Sequence, residues 1–146
     1  MRTEASSYRL DVEDAPDPAD LALLEERVAA AAIAAAGVGD DREFAIFVRD
    51  SDGRIRAGIS ATIWGGYCEL QAMWVDEPLR GRGVARTLMA AAEAEAGQRG
   101  CARVVFHAYD LLAPALYERF GYETVAVIEG CPKGSAARWY RKELTR

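Results

Sequence analysis

Residues 67–86, YCELQAMWVDEPLRGRGVAR, join a predicted strand to a predicted helix through a loop with two glycines. The strand covers residues 67–76, the loop 78–82, and the helix 84–99, which Gly100 ends. Gly81 and Gly83 allow a tight turn with no Cβ in the way of a ligand. The first N–H groups of the helix lack helical partners and carry the positive end of its dipole. This arrangement predicts a cradle for phosphate, residues 80–86.

The arginines of the cradle favour a ligand that carries a pyrophosphate. Arg80, Arg82 and Arg86 place three cations within seven residues of a chain whose net charge is −5. A dinucleotide fingerprint requires glycine at the position of Arg86, and a P-loop requires Gly-Lys-Ser/Thr, which the chain lacks. The alternative is an ordinary glycine-rich turn with solvated arginines. The coincidence of turn, helix start and local charge favours the cradle.

The pattern of apolar residues around the cradle predicts a mixed fold. Three consecutive strands at residues 43–49, 55–64 and 67–76 indicate antiparallel pairing, whereas strand–helix–strand around the cradle indicates a parallel pair. The fold class is therefore α/β (α+β), with a mixed, mostly antiparallel sheet of about seven strands flanked by helices in one domain, residues 1–146. The other predicted elements are a first strand at 7–12, a helix from Asp17-Pro18 to Gly37, a strand at 102–109, a short helix at 114–120 starting at Leu112 or Ala113, and strands at 122–129 and 136–144.

Composition excludes several classes of protein. The chain has 146 residues, 51% hydrophobic and 28% charged, which is typical of a single globular domain. Its acidic balance argues against binding nucleic acid, because that affinity depends on Lys and Arg neutralising phosphates. One histidine and three cysteines at least 30 residues apart predict no metal site. These residues are His107, Cys68, Cys101 and Cys131.

The ends and apolar runs of the chain predict a cytoplasmic location. The first ten residues have no apolar core, so they are not typical of a signal peptide. The run at residues 28–38 is mostly alanine and is shorter than the ~20 residues that span a membrane. Scattered thiols suit a reducing compartment. The sequence therefore predicts a cytoplasmic protein with no membrane partner.

Two motifs, residues 73–85 (MWVDEPLRGRGVA) and 110–122 (DLLAPALYERFGY), make the sequence similar to the GNAT superfamily of N-acetyltransferases. The acetyl-CoA site of that family reads Arg/Gln-x-x-Gly-x-Gly/Ala after a strand ending in hydrophobic-Val, and residues 73–75 (MWV) and 80–85 (RGRGVA) match it. A second motif, Asn-x-x-Ala followed by Leu-Tyr-Glu-x-hydrophobic-Gly-Phe, resembles residues 110–113 (DLLA) and 116–122 (LYERFGY). Asp110 stands where the family usually has asparagine, and one helix precedes residues 43–49 where the family commonly has two.

The resemblance implies that acetyl-CoA is the cofactor. It implies cofactor-binding roles for Met73, Trp74, Val75, Arg80, Gly81, Arg82, Gly83, Val84, Ala85, Arg86 and Asp110. For Asp110 three roles stay open: a contact to the pantetheine arm, recognition of a cationic substrate, and a turn residue before the helix.

The resemblance also implies transfer of an acetyl group to an amine. Tyr117, in the Leu-Tyr-Glu motif, is the candidate proton donor to the leaving thiolate; its alternative is a tyrosine packed on the core. Glu69 and His107 are the candidates for the base that accepts the amine proton, and a water relay would leave neither essential. A backbone N–H of residues 73–75 would donate to the developing oxyanion. No cysteine has a base at motif spacing, so we expect direct transfer.

Three functions stay open at this point. The leading hypothesis is an N-acetyltransferase that acts on a small-molecule amine. The alternatives are acetylation of a protein N-terminus or lysine, and a non-catalytic CoA-binding regulatory module. The aromatic pair Trp139-Tyr140 on the last strand, if exposed, would serve as a homodimer contact.

Overall fold

The computed structural model describes residues 8–39, 41–112 and 115–144. The described residues fall into two compact units that divide after Val38. The first unit contains helix α1 (Pro18–Ala36). The second contains β1 (Arg42–Arg49), β2 (Ile55–Trp64), β3 (Tyr67–Val75), a 3-10 helix (Glu77–Leu79), α2 (Val84–Gln98), β4 (Arg103–Tyr109), α3 (Leu116–Arg119), β5 (Glu123–Glu129) and β6 (Ala136–Glu143). A single domain over residues 1–146 stays a prediction.

Helix α1 begins and ends at the predicted capping residues. The Asp17 carboxylate accepts a hydrogen bond from the Ala19 N–H at 2.9 Å, and Pro18 occupies the first turn. Gly37 has a φ of 71°, and its N–H donates to the Ile33 carbonyl at 2.8 Å. The left-handed conformation explains why glycine ends this helix.

The first predicted strand is wrong where the structure describes it. Residues 8–12 have no regular secondary structure, and Leu10 is 99% exposed. Alternation of apolar and polar residues specifies a strand only where one face is buried, and residues 8–12 are all exposed. Ser7, the first residue of the predicted strand, lies outside the described residues.

The second unit is built on a mixed six-stranded sheet with the order β1-β2-β3-β4-β6-β5. The fold class is confirmed, with six strands in place of about seven. β3 and β4 are parallel, and the other neighbours are antiparallel. Two parallel strands need a long crossover connection, and helix α2 provides it between β3 and β4.

The short helix α3 is shorter than predicted. It covers Leu116–Arg119, and its start is set by Ala115, whose φ of 59° is left-handed and cannot continue a right-handed helix backwards. Leu112, one of the two predicted starts, lies in a turn. Ala113, the other one, lies outside the described residues.

The core of the second unit lies between α2 and one face of the sheet. Leu88, Met89, Ala92 and Ala96 of α2 are buried, so the apolar stripe of this helix packs as core. The buried set continues across the sheet through Ala57, Ile59, Ala61, Ile63, Cys68 and Val104.

An aromatic cluster closes the core at the end next to α3. The Phe106 ring packs edge-to-face on Tyr117 at 4.7 Å and on Tyr122 at 5.0 Å, and it stacks on Tyr140 at 5.1 Å. Tyr140 is only 2% exposed, so the expected exposed pair Trp139-Tyr140 is wrong. Successive strand residues point to opposite faces, so only Trp139 lies on the outer face.

The buried Cys68 thiol predicts a loss of stability in alkaline solution. Burial, aided by the neighbouring Cys101, raises the pKa of Cys68 from 9.0 to about 12. The folded protein then keeps a proton that the unfolded chain releases above pH 9. The free energy of unfolding should therefore fall as the pH rises from 9 to 12, by about 1.4 kcal/mol per pH unit.

Urea titrations at about pH 8 and about pH 10 measure this fall. We expect Cys68→Ala to reduce the pH dependence and Cys131→Ala, at an exposed thiol, to leave it as it is. An unchanged pH dependence in Cys68→Ala would show that another group controls it.

Candidate active site

The two parallel strands separate soon after they begin. The register of β3 and β4 consists of Tyr67 with Arg103, Cys68 with Val104, and Glu69 with Val105. Two residues later, β3 has a bulge at Gln71, because Ala61 of β2 pairs with Leu70 while Ser60 pairs with Ala72. A bulge bends its strand and increases the local twist. Beyond Glu69, the N–H and C=O groups of β3 that point toward β4 are therefore not part of the hydrogen-bonded β3–β4 ladder.

A pocket of about 280 Å³ lies where the strands have separated. Its walls are β3 from Leu70 to Met73 and β4 from Phe106 to Tyr109, so it starts directly after the last paired residues. Apolar side chains dominate the lining. The remaining lining residues are Ile59, Met89, Leu112 and Tyr117.

The structure brings Tyr117 into this pocket. Its ring packs on Phe106 and lies 5.2 Å from the Tyr140 ring. Burial raises the pKa of the Tyr117 phenol above its ordinary value of 10.0, because low polarity disfavours the phenolate. A phenol that stays protonated at neutral pH can donate a proton or a hydrogen bond. Packing on the core and lining the pocket are thus both true of Tyr117, and its catalytic role stays a prediction.

The two candidate bases occupy different positions. His107 lines the pocket, with its ring 4.9 Å from Trp139. Glu69 lies outside the pocket lining, at the last residue of β3 that pairs with β4. His107 is therefore placed at the pocket and Glu69 at its edge, and the role of each as the base stays a prediction.

The predicted cofactor strand divides between two faces of the sheet. Met73 lines the pocket, and Val75 packs against the core. Trp74 points away from both and is 50% exposed. Trp74 could therefore contact a ligand in the pocket only through its backbone, because its ring lies on the other face of the sheet.

Arg80 fixes the start of the cradle. Its Nε donates to the Val75 carbonyl at 3.0 Å, which ties the loop to the end of β3. Asp76, next to this carbonyl, pairs with Arg56 of β2 at 2.6 Å and accepts from the Glu77 N–H. The loop is thus held at its base by two arginines.

The backbone of the cradle requires both glycines. Gly81 and Gly83 have φ of 73° and 78°, a region that residues with a Cβ rarely adopt. A Cβ built at either position meets no protein atom within 4 Å, so both face open space. Gly83 is the N-cap of α2 and makes no side-chain capping bond. The first N–H groups of α2, at Val84 to Arg86, have no partner within the helix, and the helix dipole favours an anion there. Binding of a diphosphate at this place stays a prediction.

The remaining predicted residues differ in their surroundings. Arg82 is exposed, and the Arg86 guanidinium lies 5.3 Å from the centre of the Phe120 ring. The Asp110 carboxylate accepts from Arg138 Nε at 2.7 and 2.9 Å, and the Asp110 N–H donates to the Ala136 carbonyl. Asp110 therefore ties the end of β4 to β6. Its cofactor role stays a prediction, like those of the other cradle residues.

Sequence reasoning missed several residues of the site. Phe106 is the floor on which Tyr117 packs, Gln71 forms the bulge, and Arg138 holds Asp110. Asp110 and Arg138 are 28 positions apart in the chain, so no local signal indicates their pairing. The bulge depends on the partner strand, which no motif specifies. An aromatic residue in the middle of a buried strand was the one available signal for Phe106.

The chain is similar to one family model and to known proteins. The model of the acetyltransferase (GNAT) family matches residues 5–122. The chain is 30% identical over 108 residues to acetyltransferase Atu2258 of Agrobacterium fabrum, covering 74% of this chain and 79% of that protein. It is 30% identical over 102 residues to blasticidin-S acetyltransferase of Streptomyces morookaense, covering 69% and 75%.

The fold agrees as well. A crystal structure from Agrobacterium tumefaciens, of a protein described as an acetyltransferase, superposes with a TM-score of 0.86 at 26% identity, covering 93% of this chain and 99% of the other. No helix among residues 8–39, 41–112 and 115–144 is long and apolar enough to span a membrane.

By the family model and the similar proteins, the chain belongs to the GNAT family, and it is an acetyltransferase whose acetyl donor is acetyl-CoA.

Proposed function

We propose that this enzyme transfers the acetyl group of acetyl-CoA directly to the amine of a small molecule. The observation that carries the proposal is the pocket between β3 and β4. Its volume of about 280 Å³ is near the lower end of the range for small-molecule sites, and apolar side chains line most of it. A compact pocket of this kind suits a small acceptor better than an extended peptide.

The similarity to a blasticidin-S acetyltransferase supports the same acceptor class. That relative is named for a small molecule. The similarity covers 69% of this chain and 75% of that protein. It supports a small-molecule acceptor and leaves the identity of the amine to experiment.

The chain's own residues have separable roles in this proposal. Bound acetyl-CoA supplies an acetyl group activated as a thioester. The open cradle at Gly81 and Gly83 and the amides of α2 fit its diphosphate. Backbone N–H groups of β3 beyond Glu69 would stabilise negative charge on the reacting carbonyl oxygen. Tyr117 would donate to the leaving sulfur, and His107 would accept the amine proton, directly or through water.

Direct transfer to the acceptor agrees with the state of the thiols. Cys68 is fully buried and its pKa is raised to about 12, so it holds its proton at neutral pH. Cys101 is also buried, and Cys131 lies in the turn between β5 and β6, outside the lining of the pocket. No thiol of the described residues is thus placed to carry the acetyl group.

A thiol-release assay over a panel of amines tests the proposal. The panel contains antibiotics, polyamines and amino acids, and the parallel arm contains peptides with free N-termini or lysines. We expect acetyl-CoA to raise the melting temperature and free CoA to appear with at least one small amine. Each reaction is compared with acetyl-CoA and enzyme without amine, which measures hydrolysis.

The other outcomes identify the alternatives. Release with peptides alone would overturn the small-molecule assignment in favour of a protein acetyltransferase. Stabilisation by acetyl-CoA without release in either arm would count against both acceptor classes.

A further inference from the structure

A second pocket of about 210 Å³ lies beside α2, away from the pocket between the strands. We name it the cationic pocket. Arg119 is the last residue of α3, Phe120 follows it, and Lys142 lies on β6. Its lining residues are Arg86, Ala90, Glu93, Arg119, Phe120 and Lys142.

The single carboxylate of the cationic pocket is already neutralised. Lys142 Nζ lies 3.1 and 3.0 Å from the two oxygens of Glu93, and the Tyr122 hydroxyl donates to the same carboxylate at 2.9 Å. Lys142 also donates to the Phe120 carbonyl at 2.9 Å. Glu93 and Lys142 therefore form a structural pair that leaves little charge for a ligand.

The two arginines of the cationic pocket keep their charges available. Within the residues that the structure describes, neither Arg86 nor Arg119 forms an ion pair with a carboxylate. Three cations and one carboxylate leave two positive charges in this pocket, in a chain whose net charge is −5. A ligand with about two negative charges would match them.

The cationic pocket begins within one helical turn of the cradle. Arg86 is the third residue of α2, about 4.5 Å along the helix axis from Gly83. Its guanidinium is held over the Phe120 ring at 5.3 Å, which restricts it to one side of the pocket. If a ligand binds with its diphosphate in the cradle, the groups attached to that diphosphate would lie near the cationic pocket.

We infer that the cationic pocket binds the phosphomonoester on the ribose of the coenzyme, with Arg119 as a phosphate ligand. Coenzyme A carries this phosphate in addition to its diphosphate. A phosphomonoester has a charge of about −1.5 to −2 at neutral pH and accepts charge-assisted hydrogen bonds from guanidinium groups. The inference rests on acetyl-CoA as cofactor and on the cradle, and it is independent of which amine is acetylated.

Calorimetric titration with coenzyme A and with dephospho-coenzyme A tests the inference, because the two ligands differ only in this phosphate. We expect the wild-type protein to bind coenzyme A about tenfold more tightly, as one charge-assisted contact implies. Arg119→Ala should weaken binding of coenzyme A to the level of dephospho-coenzyme A and leave binding of the latter unchanged. Arg54→Ala, which removes the same charge from the turn between β1 and β2, should keep the tenfold preference.

Equal affinity of the wild-type protein for the two ligands would overturn the inference without any variant. An equal loss for both ligands in Arg119→Ala would also overturn it, since that result indicates a general effect on the fold or the cradle. If Arg119→Ala has a melting temperature well below that of the wild type, Arg119→Gln is titrated in its place. It should likewise lose the preference for coenzyme A and keep its affinity for dephospho-coenzyme A. Failure to bind either ligand would contradict the cradle as well, whereas a lost preference with intact binding contradicts the cationic pocket alone.

Discussion

Gly83→Leu should lower the affinity for coenzyme A by about 100-fold or more. Gly83 is the N-cap of α2 with a φ of 78°, and its Cα faces open space. A leucine side chain there would occupy the volume in which several N–H groups would meet the diphosphate. Titration calorimetry with coenzyme A measures the change.

Gly53→Leu is the matched control for this prediction. Gly53 has a φ of 80° in the turn between β1 and β2, and a Cβ there also meets nothing within 4 Å. Both substitutions therefore force leucine into the same left-handed backbone, at a cost of roughly 1–2 kcal/mol. Both should lower the melting temperature by a similar amount, but only Gly83→Leu should lower the affinity for coenzyme A. Comparable affinity in the two variants would show that the diphosphate is bound elsewhere.

Tyr117→Phe should reduce kcat by about 100-fold or more and leave the affinity for acetyl-CoA within about twofold. The change removes one hydroxyl and keeps the ring that packs on Phe106 at 4.7 Å. Since burial raises the pKa of the Tyr117 phenol, the donor stays protonated at neutral pH, and no loss of activity from its ionisation is expected below pH 10. Steady-state thiol release with the amine found in the panel measures kcat.

Tyr122→Phe provides the comparison, because Tyr122 packs on the same Phe106 ring at 5.0 Å. Its hydroxyl donates to Glu93, away from the pocket between the strands. This variant should lose stability by about 1 kcal/mol and keep its kcat. If Tyr117→Phe retains full kcat, Tyr117 is a packing residue and the proton reaches the sulfur by another route.

The site was predictable to the extent that it depends on local chemistry. The glycines and arginines of residues 80–86 lie in one short segment, and the conformation of that segment follows from φ preferences and a helix start. The same holds for α1, whose caps at Asp17 and Gly37 agree with the structure. Local reasoning failed at residues 8–12, where weak alternation predicted a strand although no face is buried.

Roles that depend on long-range pairing were beyond sequence reasoning. Asp110 had three open roles, and its contact with Arg138 became visible only when β6 was placed beside β4. Tyr140 was expected to be exposed, but the register that pairs it with Phe106 buries it. Arg119 had no signal, because its importance depends on α3 lying next to the third residue of α2.

The amino-acid sequence by itself determined the family resemblance and the order of the helices and strands from β1 onward, and it predicted the cradle, because turn geometry, helix capping and apolar periodicity act over a few residues. Only the tertiary structure decided where β3 and β4 separate, which side chains line the resulting pocket, and which arginines form no ion pair with the other described residues. These properties depend on strand register and on contacts between residues far apart in the chain, so no short segment encodes them.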